Sequence, residues 1–70
     1  MAKPQYNLGA MYANGTGVPQ DDIKAVFWFR MAAKQGHIMS QSTLGFMYVN
    51  GEGVLEDYVQ AYAWWSIAAT

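Results

Sequence analysis

Leu8-Gly9-Ala10-Met11-Tyr12-Ala13-Asn14-Gly15-Thr16-Gly17-Val18 is answered further along the chain by Leu44-Gly45-Phe46-Met47-Tyr48-Val49-Asn50-Gly51-Glu52-Gly53-Val54. The step is 36 residues, and it also carries Gln5, Asp21, Ala25, Trp28, Ala32 and Ala33 onto Gln41, Asp57, Ala61, Trp64, Ala68 and Ala69. A period of this size marks stacked units, each one a supersecondary element that cannot bury its apolar face alone. The 70 residues therefore read as a single repeat domain, with a first unit over 1–36 and a second over 37–70 that is cut just before its end. About three stacked units are normally needed for a self-sufficient array, so two leave surface that calls for a partner.

Each unit divides into two helical patterns around a glycine-rich turn. The first runs from about Pro4 to Ala13, where proline suits a first turn because its missing N–H would have no intrahelical acceptor. At about 100° per residue, Gln5, Leu8, Gly9, Met11 and Tyr12 share one arc, and Lys3, Asn7, Ala10 and Asn14 fall on the opposite one. The returning arc is expected to be buried, with Gly9 and Gly45 allowing close approach of the partner helix. Asn14 to Pro19 and Asn50 to Val54 form the turns, and Asp21 and Asp57 stand where an N-cap belongs. The second helices follow over about Asp22 to Lys34 and Tyr58 to Thr70, and Gly36 is placed to end the first of them. The expected repeat core comprises Leu8, Gly9, Tyr12, Ala25, Trp28 and Ala32, with Leu44, Gly45, Tyr48, Ala61, Trp64 and Ala68 as its second copy. In it the alanines set close helix spacing and tryptophan fills the groove beside them.

Two surfaces stand outside that core. On the far arc of the second helices, Ile23, Phe27 and Met31 recur at four-residue steps and are answered by Val59, Ala63 and Ile67. A helix apolar on nearly every side is enclosed or is an interface, so this stripe is a candidate self-association surface; the alternative is scattered apolar side chains beside Lys24, Arg30 and Lys34. Tyr62 and Trp65 join it as residues that a following unit would cover. On the first helices, Lys3, Asn7 and Ala10 are matched by Met39, Thr43 and Phe46. Side chains that vary on a constant frame are where recognition is expected, and first helices usually line the concave groove of stacked helix pairs. A merely solvated face is the alternative there.

Taken together, Tyr6 to Asp21 followed by Lys24-Ala25-Val26-Phe27-Trp28-Phe29-Arg30-Met31-Ala32-Ala33-Lys34-Gln35-Gly36-His37 closely resembles the Sel-1-like repeat, and the likeness covers essentially the whole chain. The resemblance implies an all-α fold: two antiparallel helix-turn-helix repeats, similar to tetratricopeptide repeats, stacked as a short right-handed α-solenoid. It also implies a protein-binding adaptor of a kind common in bacteria, with no shared catalytic residue set. Where Phe27, Met31, Ala63 and Ile67 stand, the family often has charged residues, which favours a covered outer face. The second unit carries Met39-Ser40-Gln41 where the family favours a small residue, and it stops before another Gln-Gly ending.

Composition narrows the partners. A net charge of -1 with a pI near 5.5 supplies no basic stripe for nucleic acid and no polybasic patch for anionic lipid. The sequence has no 18-residue apolar run, and its zero cysteines exclude disulfide and thiol chemistry while leaving cytoplasm and periplasm open. His37 is the one histidine and has no cysteine beside it, so no metal or cofactor site is expected. The acidic residues Asp21, Asp22, Glu52, Glu56 and Asp57 lack calcium-loop spacing, and the glycine pair Gly15 and Gly17 lacks the preceding strand of a dinucleotide site. Without a cysteine, a serine–histidine pairing or a buried carboxylate pair, no catalytic residue is assigned. The sequence reads as a non-catalytic protein–protein interaction scaffold that binds a protein or peptide and forms homo-oligomers through its apolar second-helix faces or open ends. The rival readings are a structural piece of a longer solenoid, and a hydrolase or small-molecule binder.

Overall fold

The computed structural model describes residues 1–70, all of the chain, and contains four helices: α1 over Ala2–Asn14, α2 over Asp22–Lys34, α3 over Ile38–Asn50 and α4 over Tyr58–Ala69. α1 pairs with α2 and α3 with α4, and α2 packs against α3 to join the two hairpins. The result is a slab of 32 × 26 × 12 Å. A slab so thin buries few residues completely, which is why its faces dominate its chemistry.

The helix ends follow from local chemistry that repeats. Gly15 and Gly51 adopt left-handed backbone with φ 69° and 66°, and their N–H groups donate to the Met11 and Met47 carbonyls. The N–H of Thr16 and of Glu52 then closes on those same carbonyls, at 3.0 and 2.9 Å. After each turn, Asp21 and Asp57 accept from the N–H of Lys24 and Gln60 through their carboxylates, both at 3.1 Å, as N-cap geometry requires. Their own N–H groups donate back to the Tyr12 and Tyr48 carbonyls, which ties each second helix to its first. α1 begins two residues before the expected Pro4, which sits inside the first turn where its missing N–H costs nothing. α4 stops at Ala69, one residue short of the expectation.

The packing glycines meet a partner that periodicity alone did not pick out. A Cβ on Gly9 would stand 2.8 Å from the Phe29 ring, and one on Gly45 would overlap the Trp65 ring. It is therefore the varying aromatic of the second helix, not the returning Trp28 or Trp64, that lies on each glycine. Trp28 and Trp64 are half-buried one position earlier. The core gathers at the junction of the two units: Ala25, Val26, Phe29 and Ala33 of α2 pack with Leu44 and Met47 of α3, and Leu44 is fully enclosed. Each such aliphatic side chain withdrawn from water contributes about 1.5–3 kcal/mol. The buried Gln41 donates its Nε2 to the Ala33 carbonyl at 3.1 Å, satisfying a backbone acceptor near the C-terminal end of α2.

Candidate interaction surfaces

α2 lies behind α1 and α3, and the two first helices leave a cleft of about 370 Å³ between them. α1 contributes Tyr6, Ala10, Ala13 and Asn14, and α3 contributes Thr43, Phe46 and Met47. The buried Phe29 of α2 forms part of its floor, with Tyr6 tilted over it at a ring-centroid distance of 5.6 Å. Gln20, Asp22 and Glu52 close the end nearest the two turns. Of the variable positions, Ala10, Thr43 and Phe46 thus come together across the cleft, whereas Lys3, Asn7 and Met39 lie exposed outside it. Ala10, expected on the exposed arc, is half-buried and packs on the core. Phe46, its counterpart, is 58% exposed.

The outer stripe is open to solvent. Ile23, Phe27, Met31, Val59, Ala63 and Ile67 are all exposed, Phe27 by 55%. Phe27 leans on Trp28 edge to face at 5.1 Å.

A second apolar region lies at the far end of the slab. Tyr62 is 65% exposed and meets Trp65 edge-on at 6.0 Å, and Trp65 in turn meets Phe46 at 5.3 Å. Trp65 differs from the sequence expectation of an uncovered side chain. It is half-buried because its ring rests on Gly45 and its Nε1 donates to the Ser42 carbonyl at 3.1 Å. Phe46 therefore belongs to both regions, lining the cleft on one side and touching the end-face aromatics on the other.

Several residues of these surfaces were not singled out from the sequence. Asn14 ends α1, Glu52 stands in the second turn, Asp22 starts α2 and Gln20 lies between turn and cap; only the fold brings all four to the mouth of the cleft. The usable signal was that Glu52 and Asp22 stand against Thr16 and Tyr58 in the other unit, the same kind of variation that pointed to Phe46. A serine–histidine pairing also exists, contrary to expectation: His37 Nδ1 lies 2.8 Å from Ser40 Oγ and accepts the Ser40 N–H at 3.2 Å. This is the N-cap of α3, with the His37 ring tilted against Tyr6 at a centroid distance of 4.9 Å. Ser40 is fully buried, and its hydroxyl is held at the cap by His37 Nδ1. No helix is long and apolar enough to cross a membrane.

Comparison with known proteins supplies the context for this geometry. A model of the Sel1 repeat matches residues 5–37 and again 38–70. Among solved structures, the chain is similar to a protective antigen present in uropathogenic Escherichia coli strains that displays an SLR fold, with 46% identity and a TM-score of 0.97. That match covers 99% of this chain and 15% of the antigen. It is also similar to a Sel1 repeat protein from Oxalobacter formigenes, with 39% identity and a TM-score of 0.96 over 99% of this chain and 28% of that one. No curated protein matches.

Proposed function

The chain belongs to the Sel1 repeat family, and from that premise we propose that it is a non-catalytic protein-interaction module whose cleft between α1 and α3 receives a segment of a partner protein. Residues 1–36 and 37–70 act in it as two units of one domain. The observation that carries this reading is the placement of Ala10, Thr43 and Phe46, which vary between the units, around one cleft on an otherwise repeated frame. A half-enclosed concavity with aromatic lining and a few polar groups is the surface on which extended segments gain affinity. An NMR titration with a pool of random capped hexapeptides tests it. Amide shifts should concentrate at Ala10, Thr43 and Phe46; shifts scattered over the outer face, or none, would sink the proposal.

Self-association is a second reading, favoured by the end face. α1 carries Leu8 and Met11, identical to the Leu44 and Met47 with which α3 covers α2. The α1 of one copy could therefore stand on the Tyr62 and Trp65 face of another, a head-to-tail contact that leaves a free end at each step. Light scattering across a concentration series separates this from pairing through the outer stripe. Trp65→Glu should abolish growth of the particle if ends stack, and Phe27→Glu should abolish it if the stripes pair. A mass of one chain at every concentration would exclude both.

A further inference from the structure

We infer that the cleft selects a partner segment bearing a basic side chain at the turn end and an apolar side chain against Ala10 and Phe46. The inference rests on the cleft being the partner site. It comes from the distribution of charge around that cleft. Its charged lining residues are Asp22 and Glu52, and no lysine or arginine lines it. Both carboxylates belong to the turn end, beside Gln20 and Asn14, and the apolar lining of Ala10, Phe29 and Phe46 lies deeper along the helices.

The juxtaposition of the two acids is built by the backbone. Gly53, at φ 72°, lets the second turn settle directly on the start of α2, where a Cβ would overlap the Asp22 carbonyl and press on Val26. That seating brings Glu52 to the mouth that Asp22 already borders. It is also peculiar to this junction, since one repeat away the same two positions hold Thr16 and Tyr58. Nearby cations are turned elsewhere: Arg30 donates to the Tyr48 hydroxyl, and the Lys24 ammonium stands 5.5 Å from the centroid of the Tyr12 ring. Two carboxylates at the rim of an apolar-walled cleft focus a negative potential on whatever enters. The negative end of the groove lies at the turns, and its apolar lining lies beyond, which orients an extended segment as well as selecting it.

Three fluorescein-labelled, capped hexapeptides provide the test. Each has one leucine and alanines, and a sixth position that is arginine, glutamine or glutamate. Fluorescence anisotropy should rank arginine over glutamine over glutamate, with about threefold to tenfold between the extremes, the range expected of one or two solvent-accessible ion pairs. Added salt should compress that range. Glu52→Arg, at an exposed turn position and checked for an unchanged circular dichroism spectrum, should abolish or invert the ranking. Equal binding of all three peptides, or a ranking that Glu52→Arg leaves unchanged, overturns the charge selection and leaves the cleft as partner site standing. An arginine peptide without leucine that binds as well as the one with it overturns the apolar half. Failure of all three to bind overturns this inference together with the reading on which it rests.

Discussion

Phe29 and Trp65 hold the same position in their units, each on the glycine of its own first helix, yet one is 3% exposed and the other half-open to solvent. The neighbouring pairs behave alike. Val26 and Ala33 are buried, whereas Tyr62 and Ala69, 36 residues on, are exposed. The difference lies in what stands in front of each helix. α2 is faced by Leu44 and Met47 of α3, and among these 70 residues nothing faces α4 in that way. The same position in the repeat thus becomes core in one unit and surface in the other. Burial in a stacked array belongs to the interface between units more than to the unit itself.

Truncating the two aromatics should break the symmetry most visibly. Phe29→Ala is expected to destabilise the fold by about 3–5 kcal/mol, whereas Trp65→Ala should cost less than about 2 kcal/mol because water already reaches its ring. Urea denaturation of both variants at low protein concentration checks this, and equal losses would mean that α4 is covered in solution. The effect of Phe29→Ala could approach the whole stability of so small a domain, roughly 4–10 kcal/mol at typical values per residue.

The two turns offer a finer contrast. Gly17→Ala forces a side chain into left-handed backbone at φ 75°, with only the Met11 terminal methyl near the new atom, and should cost about 1–2 kcal/mol. Gly53→Ala carries the same backbone penalty and also collides with the Asp22 carbonyl and Val26, so it should cost more and widen the junction between units. If the two variants melt alike, the second turn is not seated on α2 as described. The smallest contrast expected is none: Asp21→Ala and Asp57→Ala each remove one cap hydrogen bond of the same length, and each should lose about 1 kcal/mol. A markedly weaker effect at Asp57 would show that α4 is already frayed beside its open face.

How much of this was legible in advance can be seen position by position. The caps at Asp21 and Asp57 and the left-handed glycines follow from local chemistry, and that chemistry is written in adjacent residues. Phe29 is not written locally in that way. It does not recur as phenylalanine, and helical periodicity within α2 places Trp28 and Phe29 on neighbouring arcs without saying which one faces α1. The same limit applies to Ala10, whose burial depends on packing against a core that other helices supply. Asp22 and Glu52 are 30 residues apart and meet at one mouth only because Gly53 lets one turn rest on another.

By itself the sequence determined the repeat, its four helices and their ends, and the family to which they belong, because each of these rests on contacts within a few residues or on a period that the chain displays directly. The tertiary structure alone decided which aromatic lies on each packing glycine, which repeated face is core and which is surface, and how the acidic and apolar residues assemble around one cleft. The physical reason is that these depend on the angle and offset at which α2 meets α3. That geometry is set by the sum of side-chain volumes across the junction, a quantity that no single stretch of the chain contains.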